Sequence, residues 1–110
     1  MNVTPMQHIS PTDAAAVREE QPEAVVFLDC REPQELQIAA IEGALHIPLA
    51  QTPGRLHEIP QEKEVIVFCH SGIRSQTVTA YLQQEGYSAK NMLGGIDAWS
   101  LMVDETVPRY

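Results

Sequence analysis

The sequence is short of positive charge, cysteine, aromatic side chains and long apolar runs, and each shortage excludes something. Seven Lys and Arg stand against fifteen Asp and Glu in 110 residues, a formal net charge of −8. The basic residues are scattered singly, whereas phosphate backbones are held by clustered Lys and Arg, so no nucleic-acid partner is expected. An anionic membrane surface repels such a chain for the same reason, and no membrane partner is expected either. No apolar run approaches the ~20 residues of a membrane span. The longest runs, 24–28 and 65–69, have the length of buried strands. The opening Met1-Asn2-Val3-Thr4-Pro5 has neither a basic nor an apolar segment and does not read as a signal peptide. Two cysteines are no disulfide framework in a chain that is 44% apolar and able to build its own core. A soluble, cytoplasmic protein with free thiols is expected, folded as one domain over residues 1–110.

What is present is an alternation of short apolar runs with helix-like stretches. Ser10-Pro11-Thr12-Asp13 reads as an N-cap, a Pro at the first helical position and an acid in the first turn, opening a helix to about Glu20. Residues 24–28 and 65–68 are uniformly apolar, as strands buried on both faces are. A helix from Pro33 to Ala39, a strand over 44–49 and a helical turn over 55–59 are expected between them. After the second apolar run comes a helix with Val78, Ala80, Tyr81 and Leu82 as its apolar positions and Gly86 at its C-terminus. A short strand over 91–93, a Gly94-Gly95 turn and a helix over 96–101 close the pattern, with Ile96, Trp99 and Leu101 facing the core. The tail, 103–110, is expected to be solvated and strapped down by Val107 or Tyr110. Strands alternating with helices imply an α/β fold: a small three-layer sandwich with a mostly parallel central sheet and helices on both faces. Ligands of such sheets bind beyond the carboxyl ends of the strands.

The segment at that edge is Cys69-His70-Ser71-Gly72-Ile73-Arg74-Ser75, between a buried strand and a helix. A loop curling back there turns successive N–H groups inward into an anion-holding nest, and the helix N-terminus adds partial positive charge. Arg74 is a fixed cation at the rim, Ser71 and Ser75 offer hydroxyls, and Gly72 permits the turn. All of this favours thiolate over thiol at Cys69, in settings where cysteine pKa values fall from ~8.5 into the range ~3.5–7.5. The alternative is a cysteine merely buried at a strand end. Asp29 and Arg31 flank the neighbouring strand end, where they either hold the loop in place or make ordinary strand-end hydrogen bonds. His8, His46, His57 and His70 show no ligand spacing, so no zinc site is expected, and His46 reads as structural.

The loop resembles the active loop of rhodanese-homology domains, the sulfurtransferases. Ile9-Ser10-Pro11 resembles the family's opening, and Leu28-Asp29-Cys30-Arg31-Glu32-Pro33-Gln34-Glu35 its first signature. Residues 41–49 resemble the second and 91–99 the closing one. The resemblance implies that Cys69 carries a sulfane sulfur as a persulfide, and that the loop backbone and Arg74 bind the substrate anion. It implies a thiosulfate or persulfide donor and a thiol acceptor, a protein thiol included, or cyanide in an assay. It calls for no metal or organic cofactor. Two departures stand out. Ala39-Ala40 replaces the usual Gly-His, read as altered packing, and Cys30 replaces an aliphatic residue. Cys30 is read first as a small buried hydrophobe and second as a partner able to resolve a persulfide or form a disulfide. Other readings are a Cys-dependent phosphatase or arsenate reductase, or a non-catalytic binding module of the same fold. Four residues separate Cys69 from Arg74. Related phosphatases resemble a version with five and a wider bowl.

Overall fold

The computed structural model describes residues 5–110; most of the opening segment read for a leader, residues 1–4, lies outside the described residues. Five strands, β1 (His8–Ile9), β2 (Val25–Asp29), β3 (Leu45–His46), β4 (Glu64–Phe68) and β5 (Ala89–Met92), form one sheet in the order β1-β5-β4-β2-β3. Every pairing is parallel. β2 and β4, the two continuous apolar runs, lie side by side at the centre with Val25 to Asp29 paired to Glu64 to Phe68. Buried on both faces, they have no polar side to present to water.

Alternation along these strands divides the core in two. Phe27, Ile66 and Phe68 point to the face covered by α1 (Pro11–Glu20) and α4 (Gly95–Met102), where they meet Ala14, Ile96 and Trp99. Leu28, Val65 and Val67 point to the other face and meet Val78 and Leu82 of α3 (Arg74–Gln84), with Ile47 and Ile59 beneath. This is the expected α/β sandwich. α1 starts as read: the Ser10 hydroxyl accepts the Asp13 N–H at 3.0 Å. Gly86, with φ +90, follows α3. Among the described residues no helix is long and apolar enough to cross a membrane.

The differences from expectation have local causes. α2 spans only Pro33–Leu36, because the buried Arg31 guanidinium takes the Glu35 carbonyl (3.4 Å) and the Ala39 carbonyl (2.9 Å), binding the chain that a longer helix would carry away. The helical turn expected at 55–59 is present as a 3₁₀ segment, Pro53–Glu58, and a further one, Leu49–Gln51, precedes it. β1 was not expected; at two residues it is too short to show alternation, and only its pairing with β5 reveals it. Leu101 is 64% exposed and Ala80 also faces solvent. Each stands two positions beyond a buried residue, Trp99 or Val78, which is about 200° round a helix. Thr79 turns inward instead of Ala80 and its hydroxyl donates to the Ser75 carbonyl at 2.7 Å.

Candidate functional site

β4 ends at Phe68, and the chain then folds back over the sheet edge before α3 begins at Arg74. Helix starts leave N–H groups without intrahelical partners. Here one of them, the Ser75 N–H, points to Cys69 Sγ at 3.4 Å, and the Gly72 N–H points to the same sulfur at 3.2 Å. The Ser75 hydroxyl lies 3.3 Å from Cys69 Sγ, but it also reaches Asn91 Oδ1 at 2.5 Å. A hydroxyl has one proton, so Ser75 serves either the sulfur or Asn91 at any moment, while the two amides donate to the sulfur throughout. Cys69 is 1% exposed.

The loop is held from behind by α4. Its N-terminal amides Ile96 N–H and Asp97 N–H donate to the Cys69 and His70 carbonyls at 2.9 and 3.1 Å. That approach requires glycine at position 95: with φ +61, a Cβ there would lie 2.4 Å from the Cys69 carbonyl oxygen. Gly72, with φ +100, packs against the Gly94 backbone, which a Cβ would approach to 3.1 Å. Asn91 on β5 completes the support, donating to the Gly72 carbonyl at 3.3 Å while accepting from Ser75. One helix start thus holds the loop carbonyls while another aims an amide at the sulfur.

These surroundings act on the thiol in one direction. The neighbouring Cys30 thiol, the Ser75 hydroxyl and the Ser75 and Gly72 amides together pull the Cys69 pKa down to about 4, against the upward push of burial. Cys30 behaves oppositely. Its proton is kept by the adjoining Cys69 sulfur and by burial, which raise its pKa far above the ordinary range, and its thiol donates to the Phe68 carbonyl at 3.4 Å. Both cysteines are reduced and buried.

Other expected residues divide clearly. Asp29 and Arg31 form a buried pair: Arg31 Nη2 donates to Asp29 Oδ2 at 2.7 Å and Nε to Oδ1 at 2.9 Å, with Asp29 2% exposed and Arg31 fully buried. A buried guanidinium needs such saturation. Arg74, read as a rim cation for an anion, instead grips Glu35 through two bonds of 2.7 and 2.9 Å. The Arg74 guanidinium draws the Glu35 carboxyl down to about 2. Glu35 gave no local sign of this role, since its partner lies 39 positions away. Ser71 and Ile73 are exposed at the loop crest, Ile73 at 73%. His70 stacks on Tyr110 with ring centroids 3.9 Å apart. The Tyr110 hydroxyl accepts from Arg31 at 2.9 Å and donates to Glu35 at 2.8 Å, so the tail ties both ion pairs together, while Val107 enters the core. His46 meets the Arg31 carbonyl at 2.7 Å, a structural contact as read.

The family model of the rhodanese-like domain matches residues 10–102. The chain belongs to the rhodanese-like domain family. A sulfurtransferase of Allochromatium vinosum is 42% identical over 79 residues, covering 71% of this chain and 74% of that one. The putative sulfurtransferase YtwF of Bacillus subtilis is 33% identical over 103 residues, covering 92% and 97%. Among solved structures, a rhodanese-like domain protein from Staphylococcus aureus superposes with a TM-score of 0.79 at 28% identity, covering 96% of this chain and 99% of that one. Some matched chains are much longer: this one spans 30% of one curated relative and 18% of one solved structure. The rhodanese-like match takes in both central strands and the Cys69 loop, and it leaves β1 and the tail from 103 to Tyr110 outside.

Proposed function

We propose that this rhodanese-like chain is a sulfurtransferase, acting as one domain, that carries a sulfane sulfur as a persulfide on Cys69. The observation that carries the reading is the convergence of the Gly72 and Ser75 amides on Cys69 Sγ, at 3.2 and 3.4 Å. A thiolate is the nucleophilic form of cysteine, and inward amides stabilise negative charge on whichever sulfur occupies the loop. In the proposed double displacement the thiolate attacks the sulfane sulfur of thiosulfate or of a persulfide donor. The S–S bond of the donor breaks and the donor remnant leaves with the electron pair. An acceptor thiolate, a small thiol or a protein cysteine, then attacks the outer sulfur and restores Cys69. The relatives named as sulfurtransferases support the class of reaction.

Charge does not decide the donor. Arg74, the guanidinium next to the loop, is engaged by Glu35, and the chain as a whole carries −8. Net charge of that sign repels thiosulfate, a dianion, and it repels an anionic small-molecule persulfide equally, so it favours neither donor. A chain with only two cysteines and no disulfide framework suits a reducing compartment such as the cytoplasm. The test is incubation with thiosulfate and, separately, with glutathione persulfide, followed by intact-protein mass spectrometry. The protein is expected to gain one sulfur, and the Cys69→Ala variant to gain none, and the relative rates identify the preferred donor. Failure to gain sulfur from either donor overturns the reading.

A further inference from the structure

Cys30 is a buried thiol that the double displacement does not use, and it stands beside the carrier. β2 and β4 pair Leu28 with Val67 and Asp29 with Phe68, so the next residues along, Cys30 and Cys69, are lateral neighbours. The Cys30 N–H extends this ladder by donating to the Phe68 carbonyl at 3.1 Å. Side-chain alternation puts both cysteines on the same face, in the same apolar cluster as Leu28 and Val67. Adjacent strands lie roughly 4.8 Å apart, inside the Cα separation of about 4.4–6.8 Å that a disulfide spans.

We propose that Cys30 resolves the Cys69 persulfide when no acceptor arrives, closing a Cys30–Cys69 disulfide and releasing the carried sulfur as sulfide. Cys30 Sγ attacks the inner sulfur, Cys69 Sγ. The Cys30–Cys69 S–S bond forms, and the bond from Cys69 Sγ to the outer sulfur breaks. The outer sulfur leaves with the electron pair and takes up the Cys30 proton as HS⁻. The sulfane sulfur is reduced and the two thiols are oxidised, so no outside oxidant takes part. An external dithiol reopens the disulfide and restores the carrier. The Cys30 proton is held on the Phe68 carbonyl (3.4 Å), so the thiol is a reluctant nucleophile and an external thiolate wins whenever one is present. The step thus protects a loaded carrier from over-oxidation and locks an unused one. It rests on the persulfide reading above.

The experiment loads the full chain with glutathione persulfide, removes the donor, and follows mass and free sulfide with time in wild type, Cys30→Ser and Cys30→Ala. Wild type is expected to pass from one sulfur heavier to two hydrogens lighter than the reduced chain. It should release one equivalent of sulfide while remaining monomeric on a non-reducing gel. Both variants should keep the added sulfur, losing it at least about tenfold more slowly, as expected when an intramolecular route is removed. Equal decay in all three proteins, or sulfide released without the disulfide, overturns the proposal and leaves the persulfide reading intact. Loading that fails in all three overturns the persulfide reading itself. Transfer of the extra sulfur to a Cys30 persulfide in wild type would replace resolution with a relay and also overturn it.

Discussion

Two neighbouring strands end in a cysteine each, and the two thiols are driven to opposite states. Both are buried and both border the same apolar cluster. Cys30 faces a carbonyl, that of Phe68, and keeps its proton. Cys69 faces amides, those of Gly72 and Ser75, and gives its proton up. Burial raises a thiol pKa at both sites, so the difference comes first from the contact between the two sulfurs, which leaves the proton on Cys30. It comes next from the Ser75 hydroxyl and the Ser75 and Gly72 amides at Cys69. At Cys30 the strand ladder simply continues. At Cys69 the chain turns back, and the turn reverses which end of the peptide group the sulfur meets. The chemistry of this edge is therefore a property of the loop path, which Gly95, Gly72 and Asn91 fix from behind.

The largest expected break in that contrast is Gly95→Ala. The new Cβ meets the Cys69 and His70 carbonyl oxygens at 2.4 and 2.5 Å, backbone atoms that cannot step aside. A loss of about 3 kcal/mol is expected in a urea melt, with the Cys69 pKa moving toward the ordinary thiol value. Next is Asn91→Ala, which strips partners from the Gly72 carbonyl and the Ser75 hydroxyl and should cost about 2 kcal/mol. Because the amides remain, Cys69 should stay a thiolate at neutral pH in this variant, as thiol alkylation would report. A smaller effect is expected from Ser75→Ala, where loss of the hydroxyl should raise the Cys69 pKa by no more than about one unit. Linkage gives a fourth expectation. The native pKa of Cys69 is depressed, so its contribution to stability is full above the unfolded pKa and is lost as pH falls toward about 4. The stability of wild type relative to Cys69→Ser should therefore rise with pH between about 4 and about 8.5. Equal pH profiles for the two proteins would contradict it.

The sequence made the central sheet and the loop legible because their signals are local. Five-residue apolar runs rich in β-branched and aromatic residues read as strands buried on both faces, and Ser10-Pro11 followed by an acid reads as a helix start. The Cys69 to Ser75 spacing after such a strand places a thiol against a helix start. What escaped had long-range causes. Glu35 meets Arg74 across 39 positions, and Tyr110 reaches His70, Arg31 and Glu35 from the far end of the chain. Arg74 reads as a free cation until its partner is seen. Asn91, an ordinary polar residue in a short strand, holds the loop only because β5 lies beside β4. β1 has too few residues to carry a pattern. The closeness of Cys30 to Cys69 is offered by the sequence only as the second reading of Cys30, because it depends on strand register, which local sequence does not specify.

The central claim is that the neighbouring Cys30 thiol and the inward Ser75 and Gly72 amides together keep Cys69 ionised. The most direct measurement is the rate of iodoacetamide alkylation at Cys69, followed by peptide mass spectrometry from pH 3 to pH 10 so that Cys30 is scored separately. The account predicts a Cys69 rate that is flat above about pH 6 and falls with a midpoint near about 4, with Cys30 unreactive throughout. A midpoint at the ordinary thiol value of about 8.5 would contradict it.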